Sequence, residues 1–375
     1  MSEVFRYIRD IDWILTIAVV IIATLGLVTM HSFAGEAHFF ERQLILVLFS
    51  LAVFFLFSCL DFRFLRRTGV VVALFFGIAA ALMLLLGIGV TLQGAQRWLD
   101  LGLFTLQISE FAKIALIILL AKYFTKRHIE IGDFRHIFVS GAYAAVFFAL
   151  VFFQPDFGSS VIIGLIWLGM IMAAGISLRH LGVLFLLGAI AFTGLWSFGL
   201  EDYQRDRVTA FLQPYAELEE GGYHTRQSTI AVGSGELLGK GVGYGTQSSL
   251  QFLPEHETDF IFAAFAEEWG FLGVIFLFTL FGVVIWRILA NAGRGETNFE
   301  VLFGVGLAIL LISHIAIHVG ANMGLLPVTG TTLPFMSFGG SHLLALFMAL
   351  GILMGMRRYR RIFGRRQAEH EVEAI

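Results

Sequence analysis

GVVVALFFGIAAALMLLLGIGV, from Gly69 to Val90, contains no charged residue and no strongly hydrogen-bonding side chain. At 1.5 Å per residue a helix of this length covers roughly 30 Å, the hydrocarbon thickness of a bilayer. The run is continuously apolar rather than alternating, and in lipid a lone segment can bond all its backbone groups only as a helix. Similar blocks lie outward from it near Trp13–Met30, Leu44–Leu60, Ile108–Phe124, Ile137–Phe153, Phe157–Ile176, Leu181–Leu200, Phe260–Trp286, Val301–Met323 and Phe338–Met356. The expected fold is all-α, a polytopic membrane protein of about ten transmembrane helices forming one domain over residues 1–375. Charged residues make up 14% and hydrophobic ones 58%, against roughly a quarter charged in soluble domains, so a water-soluble class is excluded.

Lysine and arginine sort the loops if the amino terminus is cytoplasmic. Arg6, Arg9, Arg63, Arg66, Arg67, Lys122, Lys126, Arg127, Arg135, Arg179, Arg287, Arg294 and six arginines from Arg357 to Arg366 then lie inside, eighteen of the 25 basic residues. Arg42, Arg97, Arg205, Arg207, Arg226 and Lys240 lie outside, and Lys113 falls within a span. Both termini are expected in the cytoplasm, with residues 357–375 as a basic tail that anchors by charge or binds anionic lipid heads. Ser32-Phe33-Ala34 resembles a signal cleavage site, but the apolar run before it is longer than a signal core. Cys59, the single cysteine, permits no internal disulfide.

One loop is long, Glu201 to Thr258, and it faces outward on this topology. Long loops in compact proteins usually carry function. Its glycines do not make a nucleotide site: Ser234 stands where a phosphate-binding loop needs glycine, and Gly241 follows Lys240 where serine or threonine is needed. They are expected in turns.

Ionisable groups at membrane depth cost several kcal/mol unless they face a partner or a cavity. Glu110 and Lys113 share a helix face and read either as a buried ion pair or as the lining of a cavity open to an anionic ligand. Asp156, in Gln154-Pro155-Asp156-Phe157-Gly158, reads as a helix cap or as a metal ligand. Glu255, Glu257 and Asp259 precede the eighth span, with Glu267 and Glu268 about two turns on. One acid suffices to cap a helix, so that density points to chemistry. His314 and His318 have metal-pair spacing and are continued by Asn322 on the same face, but a third ligand is missing from the pattern, which favours a hydrogen-bonded interior stripe.

At these residues the sequence resembles the SEDS family (shape, elongation, division and sporulation proteins), in its rod-shape elongation branch. The resemblance rests on Gly94-Ala95-Gln96-Arg97-Trp98-Leu99-Asp100-Leu101-Gly102, Ser109-Glu110 with Lys113, Gln154 to Gly158, Asp202-Tyr203-Gln204-Arg205, Gly222-Tyr223-His224, Ile230 to Gly235, Gly245-Thr246-Gln247-Ser248 and Leu253 to Phe262. Ile108 stands where the family has proline, Glu257 where it has histidine, and His318 where relatives often have asparagine.

The resemblance implies a peptidoglycan glycosyltransferase that polymerises lipid II on the outer face of the bacterial cytoplasmic membrane. It implies a class B penicillin-binding transpeptidase and other elongation-complex membrane proteins as partners, with no nucleic acid. Asp259 would be the catalytic base. Arg97, Lys113 or a divalent ion (Mg or Mn) would neutralise the pyrophosphate, with Glu110 orienting Lys113 and Asp156 as the residue that could hold the ion. Trp98, Ser109, Arg205, His224, Gln247, Glu255 and Thr258 would contact substrate. A division-branch relative with the same activity, a lipid II flippase and a recruiting scaffold are the competing readings.

Overall fold

The structure is a computed structural model that describes residues 11–33, 37–92, 95–100, 105–125, 134–198, 205, 220–250, 252–253 and 255–373. Its helices are α1 (Trp13–His31), α2 (Ala37–Cys59), α3 (Thr68–Ile88), α4 (Ile108–Thr125), α5 (Phe134–Phe152), α6 (Phe157–Ala173), α7 (Leu178–Phe198), α8 (Glu220–Ser234), α9 (Thr246–Ser249), α10 (Ile261–Ala292), α11 (Asn298–Asn322) and α12 (Gly340–Glu373). Each of the ten apolar runs is a helix. Seven of the described helices are long and apolar enough to cross a membrane. Of the other three expected spans, α4 carries Glu110, Lys113 and Lys122, α6 has 17 residues, and α7 is apolar over Arg179–Ile190.

One feature departs from the all-helical expectation. β1 (Val90–Leu92), β2 (Ala95–Asp100) and β3 (Thr105–Gln107) form a small antiparallel sheet in that order between α3 and α4. Within the long loop, Glu220–Ser234 is helical, and Gly239, Gly241 and Gly243 take positive φ of 79°, 96° and 81°, which makes them the turn glycines expected. Asp202, Tyr203, Gln204 and Pro254 lie outside the described residues.

α1 and α10 pack side by side and are tied at both ends. Asp12, which caps α1 through Leu15 N at 3.2 Å, takes Arg287 Nη2 at 2.6 Å, Asn291 Nδ2 at 2.7 Å and Arg357 Nη1 at 3.1 Å. Twenty residues on, Ser32 Oγ donates to Glu268 Oε1 at 2.5 Å. The two ties are about 30 Å apart along the helix, one bilayer core. They also sort the bundle: the start of α1, the end of α10 and Arg357 of α12 share one end, and Ser32 and Glu268 the other.

α10 does not run straight through. Gly270 has φ 65° and ψ −168°, and the chain from Gly235 to Gly241 fills the break. Lys240 N and Gly241 N donate to the carbonyls of Glu267 and Glu268 at 2.9 and 3.0 Å, while Phe271 N and Leu272 N donate to Glu236 O and Leu237 O at 2.9 and 3.2 Å. A Cβ on Gly270 would collide with Gly239 N and Leu238 C. Ile261–Trp269 is therefore a stub on top of a membrane-spanning helix, and the loop is stitched to the junction.

Candidate active site

The site is organised around Thr329-Gly330-Thr331-Thr332, the extended chain that follows α11. On one side lies the start of α6. A Cβ on Gly158 would sit 2.5 Å from Thr329 O and 2.7 Å from Thr331 Cγ2, so only glycine permits the approach. On the other side lies Asp259, whose Oδ2 would be 3.7 Å from a Cβ on Gly330. Beneath, α11 presents His314 and His318, whose Nδ1 atoms donate to Thr332 O at 3.1 Å and Thr331 O at 2.7 Å. A carbonyl only accepts, so both Nδ1 atoms carry the proton and each Nε2 is a lone pair. This is the interior stripe expected of His314, His318 and Asn322.

Glu110 and Lys113 form a buried pair, Nζ to Oε1 at 2.7 Å, with Lys113 only 1% exposed. The pair belongs to a larger network. Lys113 Nζ donates to His314 Nε2 at 3.2 Å, and His342 Nδ1 donates to Glu110 Oε2 at 2.7 Å. Of the two readings of this pair, the geometry is that of an enclosed, mutually satisfied group. An anion reaching the ammonium directly would have to open it.

Asp156 caps α6, accepting from Ser159 N at 3.1 Å, and its Oδ2 also accepts from Gln107 Nε2 at 2.9 Å and Ser109 Oγ at 3.3 Å. It joins the sheet to the bundle, because Gln107 ends β3 and Gln107 N donates to Ser341 Oγ at 2.9 Å on α12. Trp98 lies on the central strand, paired with Val90 and Gln107. Arg97 is beside it on β2; its side chain lies outside the described residues. Arg205 and His224 are half-buried.

Burial separates the acids. Glu110, Asp156, Glu257, Glu267 and Glu268 are all buried. Glu267 is a hub with no exposed surface. It accepts from Lys240 Nζ at 2.6 Å, Thr246 N at 2.9 Å, Thr246 Oγ1 at 3.0 Å and Gln247 N at 3.1 Å. Gln247 is thus pinned by its backbone. Asp259 is half-buried and Glu255 exposed, so of these seven carboxylates only these two can meet a substrate. Thr258, half-buried, points Oγ1 back to Glu255 O at 3.3 Å.

A divalent ion fits poorly. Hard cations need several free oxygens, whereas both oxygens of Asp156 already accept hydrogen bonds. Glu110, His314 and His342 bring one ligand atom each within 4.8 Å of one another, but the Lys113 ammonium is bonded to two of them. Sequence reasoning missed His342, although a histidine at the head of an apolar run is itself a signal; it also missed the donors Ser337 and Ser341.

Residues 7–362 match the family described as cell cycle protein, which takes in FtsW, RodA and SpoVE. The chain is 40% identical over 277 residues to peptidoglycan glycosyltransferase MrdB of Escherichia coli K12, covering 74% of this chain and 75% of that one. It resembles a solved chain from a peptidoglycan synthase complex that coordinates polymerization and crosslinking, with TM-score 0.79 and 31% identity over 93% of this chain and 98% of that one. It also resembles the rod shape determining protein RodA of Thermus thermophilus, with TM-score 0.70 and 28% identity over 92% and 96%.

Proposed function

This chain belongs to the FtsW/RodA/SpoVE family, and from that premise we propose that it is a peptidoglycan glycosyltransferase of the elongation branch, polymerising lipid II. Lipid II joins its sugar α to a pyrophosphate, and the glycan linkage is β, so one inverting displacement makes the product. The acceptor hydroxyl attacks the anomeric carbon, the carbon–oxygen bond to pyrophosphate breaks, and the pyrophosphate keeps the electron pair. That leaving group is a stable anion and needs no acid, so a single base suffices, unlike the paired carboxylates of glycoside hydrolysis.

Asp259 is that base. The observation that carries this assignment is its half-burial among enclosed acids, at the start of the α10 stub and against Gly330. Glu255, exposed at the rim, and Thr258 border the acceptor. Arg97 and Arg205 meet the pyrophosphate, Trp98 packs on the sugar or lipid edge, and Ser109, His224 and Gln247 complete the wall. Lys113 supports the site from behind, through Glu110 and His314, rather than by contact. No step is routed through a metal.

The ion pairs that group the start of α1 with the ends of α10 and α12 support placing both termini on one side, which the distribution of lysine and arginine makes the cytoplasmic one, with Asp259 outside in a bacterial inner membrane. A class B penicillin-binding transpeptidase is the partner, an assignment supported by the relative found in a peptidoglycan synthase complex. The test is polymerisation of labelled lipid II by the purified chain. Asp259→Ala is expected to lower turnover by about 10²- to 10⁴-fold. Wild-type glycan synthesis by that variant would remove Asp259 from the mechanism, and transbilayer movement of lipid II without polymer would replace the reaction itself.

A further inference from the structure

The turn that carries Asp259 is held by its backbone. Three consecutive carbonyls each accept a hydrogen bond from a different donor: Glu257 O from Phe338 N at 2.8 Å, Thr258 O from Ser337 Oγ at 2.9 Å, and Asp259 O from Asn322 Nδ2 at 2.8 Å. From the other direction, Glu255 O accepts from Thr258 N, Asp259 N and Phe260 N at 3.1, 3.0 and 3.3 Å. A carbonyl's direction fixes the peptide plane. With the planes on both sides of Asp259 fixed, the direction of its Cα–Cβ bond is fixed too, and only side-chain torsions remain to aim the carboxylate.

Asn322 is the densest node. Fully buried, it spends both amide hydrogens, on Asp259 O and on His318 O at 2.9 Å, while its Oδ1 accepts from Ala263 N at 3.1 Å. Its own carbonyl accepts from Ser228 Oγ of α8 at 2.8 Å. One side chain therefore links the base-bearing turn, the first turn of α10 and the histidine stripe of α11.

We propose that Asn322 is a positioning residue for glycosyl transfer, acting through the backbone of Asp259, with Ser337 as its second support one residue earlier. The proposal rests on the assignment of Asp259 as base. Asn322 touches neither substrate nor the Asp259 carboxylate; it sets where that carboxylate can be.

Asn322→Asp is the discriminating variant. It keeps the shape and the acceptor for Ala263 N, so the start of α10 stays held, but it replaces the donor to Asp259 O and His318 O with an oxygen that repels both. Two measurements on the full chain go together: lipid II polymerisation and amide hydrogen exchange over residues 255–263. The expected result is faster exchange in that segment and turnover lowered about ten- to hundredfold, the range associated with a displacement of about 1 Å. KM is expected to stay within about twofold with turnover counted per folded molecule, a split that a purely structural role would not give, while the buried carboxylate lowers the thermal midpoint. Ser337→Ala, which frees Thr258 O and also Leu333 N, is expected to act in the same direction more weakly, and it decides the matter if Asn322→Asp does not fold. Wild-type turnover despite faster exchange overturns the positioning role while leaving the function intact. If the wild-type chain makes no glycan, the functional reading falls, and unchanged exchange in the variants then overturns the clamp as well.

Discussion

The two ends of the bundle hold their buried acids differently. At the end where α1 begins, Asp12 sits between Arg287 and Arg357, and Glu300 is paired with Arg66. At the site end, Glu110, Glu267 and Glu268 are held by lysine, histidine, hydroxyl and backbone groups. Arginine forks bind carboxylates rigidly and stay charged, which suits a seam that only has to hold. The site end uses uncharged or lysine donors for its enclosed acids, so the potential there is set by fewer fixed cations. On the proposed mechanism one end is a fastening and the other a reaction surface.

That contrast can be broken by experiment. The largest effect is expected at the site: Asp259→Ala removes about 10²- to 10⁴-fold of turnover with little change in thermal midpoint, whereas Asp12→Ala does the reverse. Gly270→Ala comes next, because a left-handed backbone and collisions with Gly239 and Leu238 leave no flexible group to yield. Its loss should exceed about 4 kcal/mol, seen as failure to accumulate folded protein. Asp12→Ala removes the carboxylate shared by two nearly buried arginines and should cost about 3–5 kcal/mol in detergent unfolding, with turnover per folded molecule unchanged.

Acid sharpens the comparison. Burial opposes the charge of Asp12, but hydrogen bonds from Arg287, Asn291 and Leu15 N outweigh it and hold the carboxyl below its ordinary value of 3.8. Its folded value is lower than its unfolded one, so its contribution is complete above about pH 4 and is lost as pH falls through the folded value. Thermal midpoints measured from pH 5 downward should show this loss in wild type and a flatter response in Asp12→Asn. The smallest effect belongs to Asp61, held below 3.8 chiefly by its hydrogen bond from Arg63. With side chains 46% and 33% exposed, that pair should contribute under about 1 kcal/mol, and Asp61→Asn should leave the midpoint nearly unmoved.

The spans were legible because length and unbroken apolarity are local properties, and every expected run became a helix. The sheet at Val90–Gln107 was not, since its strands are short and its order depends on pairing across turns. The break at Gly270 gives no local sign either: a glycine inside an apolar helix becomes a junction only when Gly235–Gly241 arrives to bond the freed groups. Asp259 stood out by the density of acids around it. Asn322 lay on the recognised stripe, yet its purpose depends on a turn 63 residues away. The network of Glu110 closes through His342, 232 residues on, a separation no spacing rule spans. Asp156 caps α6, one of the two roles that its spacing left open.

The bond from Ser32 to Glu268 joins α1 to the α10 stub, on the far side of the break at Gly270, while Asp12 fixes the other end of α1 to the spanning half. α1 thus works as a gauge rod bridging the fracture in its neighbour. When a thinner or thicker bilayer makes the helices lean, stub and span lean together, and the altitude of the Asp259 carboxylate over the acyl chains is read off α1.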